Sequence, residues 1–293
     1  MSGTAPHTFN GSEIEKKSGR RVFRVFRPGG SSWTACLWIY VAAFFALLYA
    51  PIILLALLSV NDSPFVGLPI KGVTFRWYSV ILDDPALRSA LLNSVLLGIV
   101  TGFIATFLAL LMAMGLRQKV FLRNVLLQMV LIPIVVPGIV GGVVLVIFFG
   151  YIGAPFGIWT TTLVAHVNWA LPFAFLTLYP RLHTFDRSVE EAAMDLGATP
   201  LVTFRRIVFP IIRPAVIATF LFAFTLSFDE FIRTLFLIGT ERTVPTHLWT
   251  LVVQEMSPFM PAVGMTITLI SIAVSLTGFW IGGRDKHTGV ATD

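Results

Sequence analysis

Long apolar runs alternate with short polar connections along most of the chain. A helix needs about 20 apolar residues to cross a hydrocarbon core of ~30 Å, and six of the runs are that long. They predict six transmembrane helices, over residues 33–60, 86–116, 121–149, 159–179, 215–238 and 262–281. The first run follows a polar tail and is too long for the core of a cleaved signal peptide, so it is interpreted as a retained helix.

Prolines and an acidic residue give some of these boundaries a local cause. Asp84 followed by Pro85 predicts a helix start, because aspartate caps a first turn and proline suits the first helical position. Pro133 and Pro137 interrupt the third apolar run and predict a kink there.

The composition is typical of an integral membrane protein. The chain is 56% hydrophobic and only 12% charged, whereas soluble domains carry about 25% charged residues. The net charge of +6 does not indicate nucleic-acid binding, because the basic residues lie at the ends of apolar runs. The single cysteine, Cys36, cannot form a disulfide within the chain. The predicted fold class is therefore an all-α integral membrane protein.

Lysine and arginine residues predict the orientation. Most of them fall in the N-terminal tail 1–32, the short loop 117–123, the long loop 181–213 and the C-terminal tail 283–293. The positive-inside rule places these segments in the cytoplasm, with both termini there and a six-helix domain over 33–282.

The long loop between the fourth and fifth spans has a helical pattern of its own. Ser188 followed by Glu191 predicts a capping box that starts a helix, and Gly197 predicts its end. Thr199 and Pro200 predict the start of a second helix. Two short amphipathic helices on a cytoplasmic loop suit a surface that docks a soluble partner.

The same loop resembles the EAA loop of binding-protein-dependent ABC importer permeases. The resemblance rests on the run Glu191, Ala192, Ala193, then Gly197, Ile207 and Pro210, at the family's spacing. In that family the loop forms a coupling helix that sits in a cleft of the ATPase subunit. The resemblance therefore implies an ATPase-coupling role for Glu190, Glu191, Ala192, Ala193, Asp195, Gly197, Ile207 and Pro210. Phe209 stands where the family usually has leucine, a conservative apolar change.

The flanking sequences, over about 60–280, are similar to permeases of the spermidine/putrescine type, whose fold is the MetI-like transmembrane domain. The resemblance implies a bacterial inner-membrane transport subunit, not an enzyme, that forms half of a pathway for a small polar, amine-containing solute. The implied partners are a cytoplasmic ATPase dimer, a second, non-identical permease and an extracytoplasmic solute-binding protein. The chain has no phosphate-binding loop, so no cofactor is expected on it, and ATP and Mg²⁺ are expected on the ATPase.

Asp229, Glu230 and Arg233 lie within the fifth predicted span, where ionisable residues are costly and indicate a pathway or a pairing. One interpretation is an intrahelical ion pair, since Arg233 follows the two acids by four and three residues. The other is contact with a cationic solute. If Arg233 faces the lumen, an opine-like, amino-acid-like or aminophosphonate solute is favoured over a plain polyamine.

His166 and Trp169 of the fourth span also have two interpretations. They could line the pathway, where an aromatic ring attracts an ammonium group. Alternatively, His166 is an interhelical hydrogen-bonding residue. No cluster of histidines and cysteines predicts a metal site.

Other function classes explain less of the sequence. A secondary transporter would leave the EAA-like loop without a role, and it predicts internal repeats that are not evident. An intramembrane enzyme requires a buried nucleophile or metal constellation, which we do not find in the sequence.

Overall fold

The computed structural model describes residues 31–118, 121–255 and 258–283, and within them regular structure is helical, with one isolated β-bridge between Asn61 and Val73. The longer helices are α1 Ser31–Ser59, α3 Pro85–Leu116, α4 Arg123–Val135, α5 Gly138–Tyr151, α6 Leu163–His183, α9 Phe209–Phe228 and α12 Met260–Gly283. The shorter ones are α2 Arg76–Asp83, α7 Ser188–Asp195, α8 Pro200–Thr203, α10 Ile232–Leu237 and α11 Val244–Thr250. Three π-helical turns adjoin them, at Ile158–Thr162, Phe204–Val208 and Leu251–Glu255.

By length and composition, four helical stretches of the described chain can cross a membrane: Trp33–Ser59, Pro85–Leu116, Ile158–His183 and Pro200–Phe228. Helices α4 and α5 are bent by 103° across Pro137 and make a fifth crossing if they count as one span. This bend confirms the predicted interruption of the third run. Helix α12 covers the sixth predicted run, and the count of six crossings stays a prediction. The predicted tails 1–32 and 283–293 lie almost entirely outside the described residues.

The chain divides into two compact units, residues 1–53 and 54–293. In the first, residues 33–53 of α1 form an apolar helical segment whose side chains are exposed nearly throughout. The predicted start of α3 is confirmed, because the Asp84 carboxylate accepts hydrogen bonds from Ala86 N and Leu87 N.

Helices α3, α6 and α9 pack against one another and form the core of the second unit. Small residues let them approach closely: Ala105, Ala109 and Ala113 of α3 are fully buried. A Cβ atom on Gly98 would lie 2.9 Å from the ring of Phe224, and one on Gly102 would lie 3.0 Å from the ring of Phe220. Two phenylalanines of α9, one turn apart, therefore occupy space that only glycine on α3 leaves free.

The predicted fifth span, 215–238, is wrong at both ends. The continuous helical stretch that includes its first part begins at Pro200, and α9 ends at Phe228. A break at residues 229–231 then separates α9 from the short helix α10. The break is stabilised by polar contacts within the segment and to α6, described below, which hydropathy along the sequence does not register.

Candidate functional site

The loop predicted to couple to the ATPase forms one short helix followed by the start of a long one. Helix α7 ends at Asp195, and Gly197 adopts a left-handed φ of +87°, as predicted for the glycine that ends the helix. Thr199 Oγ1 then accepts a hydrogen bond from Val202 N, which confirms the predicted second start. We call residues 184–208 the coupling hairpin.

Two details of the coupling hairpin differ from the prediction. Ser188 does not form a capping box; instead the Asp186 carboxylate accepts a 2.9 Å hydrogen bond from Ser188 N. That bond, with a second one from the Ser188 hydroxyl, holds the pKa of Asp186 below its ordinary value. The second helix is also not short. The π turn ends with Phe209 N donating to Phe204 O, and this wider turn carries the helix past Pro210, which has no N–H to donate.

The coupling hairpin presents apolar and acidic side chains outward. Leu196 is 91% exposed and Leu201 is 75% exposed. Of the other predicted coupling residues, Glu191, Ala192, Asp195, Gly197 and Pro210 are exposed, and Glu190, Ala193 and Ile207 are partly buried. Glu190 differs from its neighbours because it forms a 2.6 Å ion pair with Arg117 at the end of α3.

A second group of predicted residues meets at the break between α9 and α10. Glu230 and Arg233 form a 2.9 Å ion pair with side chains only 8% and 5% exposed, and Glu230 Oε1 also accepts from Arg233 N. The guanidinium carbon of Arg233 lies 4.1 Å from the centre of the Trp169 ring. The structure thus brings α6 and α10 together through one guanidinium, which is neutralised by Glu230 and makes a cation–π contact with Trp169. We call Glu230, Arg233, Trp169 and His166 the polar cluster.

His166 connects both sides of the break. Its side chain is fully buried, with Nδ1 2.7 Å from Ser227 Oγ and Nε2 2.8 Å from Thr234 Oγ1. Thr234 Oγ1 donates its own proton to Glu230 O at 2.6 Å, so Nε2 carries the histidine proton and Nδ1 accepts from Ser227. This arrangement matches the interhelical hydrogen-bonding interpretation of His166.

Asp229 is the one predicted pathway residue that the polar cluster leaves out. It is exposed, and within the described chain the geometry gives its carboxylate no ion pair. Arg233 follows Asp229 by four residues but pairs with Glu230 instead, because the helix is broken between Asp229 and Arg233.

Glycines of α5 lie against the polar cluster. A Cβ atom on Gly138 would lie 3.6 Å from Arg233 Nη1, and one on Gly141 would lie 3.8 Å from Arg233 Nε. The first turn of α5, directly after the 103° bend, therefore packs on the guanidinium. The sequence pointed to the bend and to the arginine separately, but no signal in it connected the two.

Within the described residues the fold is thus helical and apolar, with a broken span, a buried polar cluster and an exposed hairpin on a long loop. Residues 94–283 match the family described as "Binding-protein-dependent transport system inner membrane component". The chain belongs to this family and is a permease component of an ABC importer, a transport subunit and not an enzyme.

Relatives of known name cover most of the chain. It is 31% identical over 256 residues to the spermidine/putrescine transport system permease protein PotC of Escherichia coli K12, covering 87% of this chain and 96% of that one. It is 34% identical over 243 residues to the putrescine transport system permease protein PotI of the same strain, covering 80% and 85%.

The fold is also similar to a solved structure. One chain in the crystal structure of a bacterial alginate ABC transporter, in complex with an alginate pentasaccharide-bound periplasmic protein, superposes with a TM-score of 0.66. The match covers 88% of this chain and 96% of that chain at 16% identity. At that identity the match supports the permease fold and carries no information on the solute.

Proposed function

We propose that this permease forms half of an import pathway for a small organic cation that carries amine groups, of the polyamine class. One observation carries the proposal: the break in the fifth span and the first turn of α10 together contain two carboxylates and one guanidinium. Glu230 is neutralised by Arg233, so the carboxylate of Asp229 leaves the break with one uncompensated negative charge. A carboxylate in a surface of low dielectric attracts an ammonium group more strongly than it would in bulk water.

The pairing of Arg233 bears on the alternative solutes. An opine-like, amino-acid-like or aminophosphonate solute would need a cation available for its anionic group. Arg233 is buried, paired with Glu230 and stacked on Trp169, so binding such a group there would require breaking the ion pair. The named relatives are spermidine/putrescine and putrescine permeases, which supports the same choice.

The solute class is tested by competition. Proteoliposomes containing the complete complex would be supplied with ATP, the cognate binding protein and radiolabelled spermidine. Unlabelled putrescine should compete with the label, whereas ornithine and 2-aminoethylphosphonate should not. Equal competition by 2-aminoethylphosphonate would overturn the assignment to a purely cationic solute.

We further propose that the coupling hairpin docks on the ATPase dimer, and that a second, non-identical permease and an extracytoplasmic binding protein complete the assembly in the inner membrane. ATP and Mg²⁺ would then be held by the ATPase alone. The exposed side chains of Glu191, Leu196 and Leu201 support this role, because an unpartnered apolar surface beside the EAA-like run suits a protein cleft.

Co-purification tests the docking surface. Leu196→Glu should reduce the amount of ATPase that co-purifies with the permease, since it places a charge in a desolvated contact. Phe121→Glu is the matched control, because Phe121 is 88% exposed and lies outside the hairpin on the same predicted cytoplasmic side. Equal ATPase recovery with both variants would contradict the proposed contact.

A further inference from the structure

Arg117, at the end of α3, makes three contacts with the coupling hairpin. Its guanidinium pairs with Glu190 at 2.6 Å and lies 5.4 Å from the centre of the Phe185 ring. Its backbone carbonyl accepts a hydrogen bond from the guanidinium of Arg187. The Arg117 side chain is only 6% exposed, so the pair with Glu190 is shielded from water far more than a surface ion pair.

Helix α7 depends on these contacts because it has little else to hold it. It contains eight residues, and none of its side chains is buried. A helix that short is unstable in isolation. Its apolar residues Val189 and Met194 are 42% and 43% exposed, so burial of apolar side chains holds α7 only weakly.

The two adjacent glutamates of α7 point to different partners. Glu190 is partly buried and faces Arg117, whereas Glu191 is exposed. The resemblance singles out Glu191 as the start of the EAA run. The geometry gives Glu190 a separate contact, directed into this chain and away from the docking surface.

We propose that Arg117 is a positioning residue that fastens the coupling hairpin to α3, so that displacement of α7 by the ATPase is transmitted to the helix core. This inference rests on the proposed docking role of the hairpin. Helix α3 is the element able to pass the displacement on, because it packs against both α6 and α9. Its Gly98 and Gly102 are in tight contact with the aromatic rings of α9, so α3 cannot move without moving α9.

The experiment uses the complex of permease and ATPase in lipid nanodiscs, with Arg117→Ala as the test variant. Arg181→Ala is the control, because Arg181 is an exposed arginine near the end of α6 that lies just outside the hairpin. Hydrogen–deuterium exchange of the α7 amides reports how firmly α7 is held and needs no solute. Uptake of radiolabelled spermidine per ATP hydrolysed reports coupling in proteoliposomes.

Arg117→Ala should retain the ATPase, raise the exchange rate of the α7 amides about tenfold and lower uptake per ATP at least tenfold. In the double variant Arg117→Glu/Glu190→Arg, α7 exchange and uptake per ATP should be closer to the wild-type values than in Arg117→Glu or Glu190→Arg alone. Its recovery should be partial, because the exchanged charges oppose the dipoles at the end of α3 and the start of α7.

Unchanged α7 exchange in Arg117→Ala, relative to Arg181→Ala, would overturn the inference. Loss of the ATPase from the Arg117→Ala complex would also overturn it, since Arg117 would then serve docking itself. If Arg117→Ala does not accumulate in the membrane, Glu190→Gln removes the same pair from the hairpin side and the same outcomes apply. Failure of the wild-type permease to retain the ATPase would instead refute the proposed docking role.

Discussion

Glu230, in the break after α9, forms an ion pair at 2.9 Å with Arg233 in the first turn of α10, and both side chains are nearly inaccessible. Arg76 and Asp62, in the segment after α1, form a pair at the same distance with side chains 54% and 45% exposed. The two pairs have the same N–O distance and differ in burial. Comparing the two pairs separates the effect of burial on stability from the effect of the N–O distance.

Glu230→Gln should destabilise the permease strongly. The substitution leaves the guanidinium of Arg233 buried without a counterion, and breaking a buried pair in this way costs about 3–5 kcal/mol. Arg76→Ala, which breaks the exposed pair, should cost at most about 1 kcal/mol. Thermal unfolding in detergent, monitored by size-exclusion chromatography, measures the stability losses of both variants.

The double variant Glu230→Gln/Arg233→Met tests whether the loss is electrostatic. Removing both charges removes the uncompensated cation, so the double variant should be more stable than Glu230→Gln alone. A double variant that is no more stable would show that the shape of the break matters more than its charge balance.

The sequence predicts the parts of the fold that depend on neighbouring residues. The helix starts at Asp84 and Thr199 and the left-handed Gly197 follow from side chains and backbone within a few positions. The bend at Pro137 has the same local origin. Each of these features is fixed by one residue type acting on its own turn, and for that reason it can be predicted.

Other features depend on residues far apart in the chain. The break after Phe228 forms because His166, more than sixty residues earlier, bonds to Ser227 and Thr234 on either side of it. The Arg117–Glu190 pair joins residues 73 positions apart. Hydropathy and motif spacing carry no information about such contacts, so they predict the fifth span as one helix and identify Arg117 only as a basic loop residue.

Asp229→Asn should weaken transport of a cationic solute without affecting stability. The carboxylate is exposed and unpaired within the described chain, so removing its charge breaks no internal contact. The KM for spermidine uptake should rise about tenfold, which corresponds to about 1.4 kcal/mol. Uptake by proteoliposomes over a range of loaded binding protein gives this value.

Asp83→Asn is the control for that measurement. Asp83 is an exposed carboxylate at the end of α2, just before the membrane-spanning α3. It should leave the KM unchanged. An equal rise in both variants would mean that general surface charge, and not the break, attracts the solute.

His166→Phe should lower stability and leave solute selectivity unchanged. The substitution removes two hydrogen bonds, to Ser227 and Thr234, at a site with no solvent access. Interhelical hydrogen bonds in membranes are worth about 0.6–2 kcal/mol each, and the hydroxyls can partly re-pair with their own helices. A loss of about 1–2 kcal/mol in detergent unfolding is therefore expected.

The ratio of spermidine to putrescine uptake decides between the two interpretations of His166. A residue that only joins helices leaves this ratio as it is in the wild type. A change in the ratio with little loss of stability would place the imidazole on the solute pathway.

Gly197→Ala should weaken ATPase binding. Gly197 has a φ of +87°, where a Cβ atom costs about 1–2 kcal/mol. No heavy atom lies within 4 Å of the Cβ position, so the penalty comes from the backbone and not from a clash. Helix α7 has no buried side chains to oppose a change at Gly197, so the strain should alter how the hairpin is presented. We expect the Kd for the ATPase to rise about tenfold.

Two further substitutions make the cause of that loss specific. Gly197→Asn should bind more tightly than Gly197→Ala, because asparagine tolerates left-handed backbone better than alanine does. Gly67→Ala should match the wild type, since Gly67 also has open space around it but lacks the left-handed φ. Affinity for the ATPase should then decrease in the order wild type, Gly197→Asn, Gly197→Ala, as the backbone cost at residue 197 increases. If Gly197→Ala bound as tightly as Gly67→Ala, the left-handed turn could not be what orients α7 for the ATPase.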